Sequence, residues 1–208
     1  MEWQIFTGIC RAPVGLVTLR PELGSLAEFD GKDRIALPQP GSIQHILLSM
    51  AALAEFGRAD YFDNRLTTLS HPDGMTALLS GGDIAAHFTS PPYLFEELKL
   101  PGARLLVDGT EAFGGPFTFI VGVSRSAFAE AELELLEALV SALAEEMQRL
   151  ESDPASAAQL LTEEYSLPED TVRDYLGRDG FVFERQVRGV ERFGEFMAGA
   201  GLLEEPPE

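Results

Sequence analysis

Cysteine is almost absent from the 208-residue sequence, where Cys10 stands alone, so an internal disulfide is excluded. Iron-binding cysteine runs and paired-cysteine zinc sites are excluded for the same reason. The three histidines, His45, His71 and His87, show none of the HxxxH or HxH spacings that hold metal ions. The sequence therefore predicts no metal site and no cofactor.

Positive charge is also scarce. The chain has 15 Lys and Arg against 34 Asp and Glu, a net charge of −19, and its only lysines are Lys32 and Lys99. A surface of this sign repels phosphate backbones and anionic lipid headgroups. We expect no nucleic-acid partner and interpret the acidic faces as a means of solubility.

Long apolar runs and catalytic motifs are missing as well. No apolar stretch reaches the ~18 residues that a membrane helix needs. The amino terminus, MEWQIFTGICRAP, has no basic start, long apolar stretch or small-residue cleavage site, which a secretory signal would show. There is no GxSxG, Walker A loop or GxGxxG. The chemistry of the residues predicts a binding protein rather than an enzyme.

Short apolar runs alternate with short helical segments in the first half of the chain. The predicted helices are GSIQHILLSMAALAEFG, with Ser42 as N-cap, a segment at 75–79, and PYLFEEL. This alternation predicts a mostly parallel sheet in one α/β lobe over residues 12–114. The predicted strands are VGLVTLR (14–20), RIALP (34–38), RLTTLS (65–70), DIAAHF (83–88) and ARLLVDG (103–109).

The second half of the chain has a different order of predicted helices and strands. FTFIVGVS (117–124) is predicted as one strand, and everything after it as helix. The long helix AEAELELLEALVSALAEEMQRLES is amphipathic, and three shorter helices follow it. A lone strand cannot cover four amphipathic helices, so we expect apolar helix faces without a sheet to pack on. The apolar face of the long helix carries Leu133, Leu136, Leu139, Val140 and Leu143.

The strongest local signal is LPQPGSIQHIL, where a strand ends at a turn and a helix begins at once. We expect free backbone N–H groups of Gly41, Ser42, Ile43 and Gln44 there, and these attract an anion or a polar oxygen. Thr89-Ser90 follows a neighbouring strand at the same edge, where open α/β sheets bind ligands. The alternative is that Ser42 only caps its helix. His87, inside an apolar strand, is predicted to be a hydrogen-bonded core residue rather than a ligand.

The order of the motifs resembles a known family. GLVTLRPELGSLAEFDGKDRIALPQPGSIQHILL, LSHPDGMTALLSGGDIAAHFTSPPY, GGPFTFIVGVS and FGEFMAGAGLLEEPP are similar to ABC-transporter solute-binding proteins of the nitrate, sulfonate and taurine type. The resemblance implies an α/β, periplasmic-binding-protein-like type II fold, with one complete five-stranded lobe plus the C-terminal helical part of the other lobe. Residues 1–11 would be a hinge or crossover segment, 12–114 the complete lobe, and 115–208 the returning strand and helices of the incomplete lobe.

The resemblance also implies a site. The family closes its solute between two lobes, which would place Gly41, Ser42, Ile43, Gln44, Thr89 and Ser90 on the second lobe. Thr7 and Arg11 would lie in the outgoing hinge, and Gly114 and Gly115 in the returning one. Arg11 is the only cation near this position, so an anionic solute is expected.

The family's partners are a small solute and an ABC transporter permease, and its members are periplasmic or cell-surface lipoproteins. The expected location is therefore periplasmic, or cytoplasmic if the chain starts at Met1. Two alternatives stay open: a thiamine-pyrimidine-synthase-like enzyme, against which the single cysteine argues, and an effector-sensing domain of a regulator, for which no basic DNA-binding segment is present.

Overall fold

A computed structural model describes residues 2–165 and 167–203. Within them the strands are, in chain order, β1 (Trp3–Arg11), β2 (Gly15–Thr18), β3 (Arg34–Leu37), β4 (Leu66–Thr68), β5 (Ile84–Thr89), β6 (Arg104–Asp108), β7 (Ile120–Arg125) and β8 (Val182–Phe183). The helices are α1 (Ile43–Phe56), α2 (His71–Ser80), α3 (Tyr93–Leu98), α4 (Gly109–Phe113), α5 (Ser126–Ala131), α6 (Leu133–Ser152), α7 (Pro154–Tyr165), α8 (Glu169–Leu176) and α9 (Val190–Gly199).

The chain divides into two compact units. The antiparallel unit comprises Met1–Ala12 and Phe117–Arg188. The five-stranded unit comprises Pro13–Pro116 and Gly189–Glu208. Each unit has its own sheet.

The five-stranded unit contains a sheet with the strand order β4-β3-β5-β2-β6. Strand β3 runs parallel to β4 and β5, whereas β2 is antiparallel to both of its neighbours, β5 and β6. All five predicted strands are confirmed, and the sheet is mostly parallel as predicted, with β2 as the exception. Gly15, at the start of β2, pairs with Thr89 and with Asp108. The carboxyl ends of β3, β4, β5 and β6 therefore lie at the same edge of the sheet.

The core of this unit explains why β5 reads as an apolar run. Every residue of β5 after Ile84 is buried, as expected for an inner strand covered on both faces. Val17 on β2 packs with Leu78 of α2 and Leu94 of α3. Burying side chains of this size stabilises a fold by about 1.5–3 kcal/mol each.

Helix boundaries in this unit follow local chemistry. The Ser42 Oγ accepts a hydrogen bond from the His45 N–H, and α1 ends at Gly57 in the left-handed conformation, φ 70°. Helix α2 ends in the same way at Gly81. It begins earlier than predicted, at His71, because Ser70 caps it and Pro72 is accepted in a first helical turn.

The antiparallel unit contains the sheet β7-β1-β8. The prediction of a lone strand followed only by helices is therefore wrong. Strand β1 pairs with β7 over most of its length, and the two-residue β8 pairs with Cys10 and Arg11. Within the segment 1–11, predicted as a hinge or crossover, Trp3–Arg11 form the central strand of this sheet. Polar and apolar residues alternate too weakly along β1 for the sequence pattern to predict this strand.

The long helix predicted from residue 129 is interrupted. Backbone angles at Glu132 (φ −124°, ψ 42°) leave the helical region, which separates α5 from α6. On the predicted apolar face, Leu136 is 8% exposed, but Leu133 is 58% and Leu139 45% exposed. The expectation of uncovered apolar side chains is confirmed for this helix.

Helix α9 belongs to the five-stranded unit, which differs from the expected grouping of residues 115–208. The Phe193 ring lies 4.5 Å from the Phe113 ring of α4, centroid to centroid. Residues 204–208 of the expected range lie outside the described part of the chain. No helix in the described part is long and apolar enough to cross a membrane.

Candidate functional site

The carboxyl edge of the five-stranded sheet brings two predicted groups together. Strand β3 leads through residues 38–42 into α1, and β5 leads into Ser90. Because β3 and β5 are adjacent and parallel, with Ala36 opposite His87, the turn before α1 and the end of β5 lie at the same edge. Both segments follow neighbouring parallel strands, as predicted, and their role in one ligand site stays a prediction.

The backbone amides of the turn are only partly free. The Gly41 N–H donates to the His45 Nδ1 at 2.9 Å, and the Ser42 N–H donates to the Gln39 carbonyl at 3.1 Å. The expectation of four free amides is therefore wrong for these two. The amides of Ile43 and Gln44, in the first turn of α1, have no acceptor among the described residues, as helix geometry requires. The positive end of the helix dipole is thus presented by two donors.

Hydrogen bonds at both nitrogens of the His45 ring hold this turn in place. Its Nδ1 accepts from Gly41, so its Nε2 carries the hydrogen and donates to the Asp63 Oδ1 at 3.1 Å. The Ser42 Oγ accepts from the His45 N–H at 3.4 Å, so the capping role of Ser42 is confirmed. The turn is fixed before any ligand arrives.

Gln44 adds a side-chain group to the two amides. The residue is only 4% exposed, yet its carboxamide has no hydrogen-bond partner among the described residues. The carboxamide atoms are not among the buried polar atoms that lack a partner, so they are in contact with solvent at this edge of the sheet. A polar ligand at this helix end could bond to them in place of that solvent.

His71 joins the site, although no sequence pattern predicted a role for it. Its Nδ1 lies 2.9 Å from the Thr89 Oγ1 and its Nε2 lies 3.4 Å from the Ser90 Oγ. The ring stacks on Tyr93, with centroids 5.9 Å apart and planes at 19°. His71 follows β4 and Thr89 ends β5, so the contact links the ends of the two strands that flank β3. The signal that would have found it is its position directly after a strand at the edge that also holds Thr89.

The imidazole of His71 is hard to charge. Desolvation by partial burial, and then the neighbouring His87, lower its pKa from 6.5 to about 4. The ring is therefore neutral at pH 7. Thr89 and Ser90 are 0% and 5% exposed, so His71 is their more accessible neighbour.

Behind His71 lies a buried polar pair. The His87 Nδ1 is 2.6 Å from the Glu97 Oε1, and both side chains are fully buried. The prediction that His87 is a hydrogen-bonded core residue is confirmed. His87 Nε2 and Glu97 Oε2 have no partner among the described residues, and Gly74 packs so closely on the ring that a Cβ there would lie 2.4 Å from Nε2.

Solved structures provide the comparison. No protein-family model matches the sequence, and no curated protein matches it either. The periplasmic aliphatic sulphonate binding protein SsuA from Escherichia coli superposes with a TM-score of 0.72 at 21% identity, covering 97% of this chain and 66% of that one. The alkanesulfonate-binding protein SsuA from Xanthomonas axonopodis pv. citri, solved bound to MOPS, gives 0.68 at 26% identity, covering 98% and 70%.

This chain has the periplasmic-binding-protein fold. The type II arrangement with a five-stranded lobe, expected from the resemblance, is confirmed, and the chain spans about two thirds of the length of these binding proteins. The desulfurization enzyme DSZB shares the fold with a TM-score of 0.61 at 17% identity, covering 98% of this chain and 74% of that one. The fold therefore serves binding proteins and an enzyme, and the site must decide between them.

Two of the predicted site residues, Thr7 and Arg11, lie on β1 in the antiparallel unit. The Thr7 side chain is buried and its Oγ1 donates to the Gly8 carbonyl at 2.9 Å. The Arg11 Nε donates to the Glu184 Oε1 at 2.6 Å. Arg11 was predicted as the cation for an anionic solute; it is paired with Glu184, so its charge is already partly compensated, and its contact with a solute stays a prediction.

The two glycines expected in the returning hinge end α4. Gly114 has φ 84° and its N–H donates to the Thr110 and Glu111 carbonyls, while the Gly115 N–H donates to the Thr110 carbonyl at 2.9 Å. Gly115 has φ 148°. Both lie just before Phe117, where the chain re-enters the antiparallel unit.

Cys10 does not have the environment of a reactive thiol. It is buried on β1, and desolvation raises its pKa above the ordinary value of 9.0. Activated cysteine nucleophiles have lowered pKa values in electropositive, partly exposed surroundings. Among the described residues no group of three or more His, Cys, Asp or Glu side chains could hold a metal ion.

Proposed function

We propose that this protein is a solute-binding component of an ABC import system and that it holds a small solute at the carboxyl edge of the five-stranded sheet. The observation that carries the proposal is the start of α1, where the amides of Ile43 and Gln44 and the solvent-accessible Gln44 carboxamide have no hydrogen-bond partner among the described residues. Three unused hydrogen-bonding groups at the positive end of a helix suit an anionic oxygen.

The solute we propose is a small organic or inorganic oxyanion. Two fold neighbours are sulfonate-binding proteins by name, and one was solved with MOPS, which carries a sulfonate. The helix end favours negative charge, and Ser90 supplies a hydroxyl at the same edge. An ABC transporter permease is the proposed membrane partner, with the periplasm as the proposed location.

Calorimetry on the 208-residue chain tests the proposal. The panel is methanesulfonate, taurine, MOPS, nitrate and benzoate, with dimethyl sulfone as a neutral match for methanesulfonate. We expect one or more of the anions to bind and dimethyl sulfone to bind more weakly. An absence of heat and of chemical-shift change with every member at millimolar concentration would reject a solute-binding role for this chain.

Two variants locate the site. Gln44→Ala and Ser90→Ala should each weaken anion binding by about tenfold, because a hydrogen bond to a charged group contributes roughly 1.5–3 kcal/mol. Gln148→Ala and Ser80→Ala are matched controls, since both residues are exposed and Ser80 donates only within its own helix. If the controls weaken binding as much as the site variants do, the solute binds elsewhere.

A further inference from the structure

We infer that His71 is the residue that supplies positive charge to the solute, by taking up a proton when an anionic group binds beside Ser90. The inference rests on the proposed function, since it concerns the same edge of the sheet. A neutral histidine would thus have the role that the family resemblance implied for Arg11, whose guanidinium is paired with Glu184. Solute binding would then be linked to proton uptake.

The ring is placed for this role. It is partly buried at the carboxyl edge, with Nδ1 on Thr89 and Nε2 on Ser90. No carboxylate forms an ion pair with it among the described residues. An imidazolium here would lack a counter-charge until an anion arrived.

The neighbouring titratable groups do not provide that counter-charge. His87 on β5 faces the ring at 5.7 Å between centroids, and any charge it carries is positive. Glu97 on α3 lies behind His87 and binds its Nδ1. Tyr93 on α3 stacks on the ring, and Asp73 on α2 accepts from the Ser70 hydroxyl.

The hydroxyl protons give a second reason. A neutral imidazole has one donor nitrogen and one acceptor nitrogen, so either Thr89 or Ser90 must donate its hydroxyl proton to the ring. An imidazolium donates from both nitrogens, which leaves both hydroxyls free to donate elsewhere. The Thr89 hydroxyl donates to the Ser90 carbonyl at 3.5 Å, so the Ser90 hydroxyl is the one that donates to the neutral ring, at Nε2. Protonation of His71 therefore adds a charge and releases the Ser90 O–H toward an anionic oxygen.

The direction of the pH dependence follows by linkage. In the empty protein the pKa of His71 is about 4, and a bound anion favours the charged ring, so it raises that pKa. The affinity should tighten as the pH falls through the pKa of the bound state, by up to about tenfold per pH unit. The gain should end near pH 4, where the empty protein is protonated as well.

Two measurements on the full chain test the inference. Calorimetry with methanesulfonate, which stays ionised throughout, is run between pH 4.5 and 8. The Cε1–H resonance of His71 is titrated by NMR with and without the same solute. We expect tighter binding at lower pH, proton uptake detected as a buffer-dependent heat, and a His71 pKa at least one unit higher in the complex.

His71→Asn provides the matched variant, because its amide can still donate to the Thr89 hydroxyl but cannot take up a proton. It should bind methanesulfonate with an affinity that no longer varies with pH. Dimethyl sulfone should bind the wild-type chain without proton uptake.

The outcomes separate the two proposals. Methanesulfonate binding with an unchanged His71 pKa, or with the same pH dependence in His71→Asn, overturns the inference and leaves the solute-binding proposal intact. Binding of no panel member, with no movement of the His71 resonance, overturns both.

Discussion

The two units of this protein differ in how completely they bury their apolar side chains. The largest fully buried side chains, Phe62, Phe88 and Leu16 among them, all lie in the five-stranded unit. Most exposed large apolar side chains lie in the antiparallel unit, where Trp3 is 59%, Val123 50% and Leu160 74% exposed. Where such exposed side chains form a contiguous patch, they mark an interaction face or a tendency to associate.

Helix ends show a weaker contrast. In the five-stranded unit, Ser42, Ser70 and Asp108 accept hydrogen bonds from amides of the helices that they precede, whereas α3 and α9 begin without a side-chain cap. In the antiparallel unit, α5, α6 and α8 lack a side-chain cap, and α7 has one, because the Asp153 Oδ1 accepts from the Ser156 N–H. Each cap contributes about 1 kcal/mol. The difference in stability that we expect between the units therefore rests mainly on the buried core of the five-stranded unit.

The largest effect is expected from a substitution in the core of the five-stranded unit. Phe88→Ala should lower the free energy of unfolding by about 3–5 kcal/mol, because it opens a cavity in a fully buried position. Phe128→Ala, at a 44% exposed position of the antiparallel unit, is the matched control and should cost less than about 1 kcal/mol. Urea unfolding monitored by circular dichroism measures both, and equal losses would contradict the contrast between the units.

A smaller effect is expected where Gly74 meets His87. Gly74→Ala should destabilise the protein by about 1–2 kcal/mol, since the new methyl group forces the buried ring to shift. Gly199→Ala is the control with the opposite sign, because this helical glycine has open space around it and alanine favours helix by up to about 1 kcal/mol. Thermal unfolding compares the two, and a stabilising Gly74→Ala would show that His87 is not held tightly.

The N-cap of α1 is expected to contribute less. Ser42→Ala should lower the unfolding free energy by about 1 kcal/mol, because the His45 amide loses its acceptor. Ser42→Asp keeps an acceptor and should restore stability. The urea midpoint measures the stability of both variants. An unchanged midpoint in Ser42→Ala would mean that the hydrogen bonds of the His45 ring are sufficient to fix the turn.

The smallest effect is expected for Arg11. Arg11→Gln should change anion affinity by less than about twofold, because the guanidinium is paired with Glu184 in the antiparallel unit and a partly exposed ion pair contributes roughly 0–1 kcal/mol. Calorimetry with methanesulfonate measures this. A tenfold loss of affinity would instead indicate that Arg11 binds the anionic solute, as the family resemblance implied.

Regular periodicity and short-range chemistry explain what the sequence could predict. The strand at 84–89 and the helix from Ser42 to Gly57 follow from apolar runs, a capping serine and a terminal glycine. These signals act within a few residues, so they need no knowledge of the fold.

Long-range pairing explains what the sequence could not predict. Strand β1 is recognised as a strand only through its partners β7 and β8, more than 100 residues away. The pairing of Arg11 with Glu184 spans 173 positions and the contact of His71 with Thr89 crosses from one strand end to another. The fold creates these contacts, and the position of His71 after a predicted strand is the one local pattern that points to any of them.

Residue-resolved amide exchange with and without methanesulfonate decides where the solute binds. We expect the amides of Ile43 and Gln44 to exchange more slowly and to shift in the NMR spectrum when the solute is present. The Thr171 amide, which is already bound to the Asp170 side chain at the start of α8, should not change and is the internal control. Unchanged exchange at Ile43 and Gln44, with protection centred instead on β1 around Arg11, would contradict a solute site at the carboxyl edge of the five-stranded sheet.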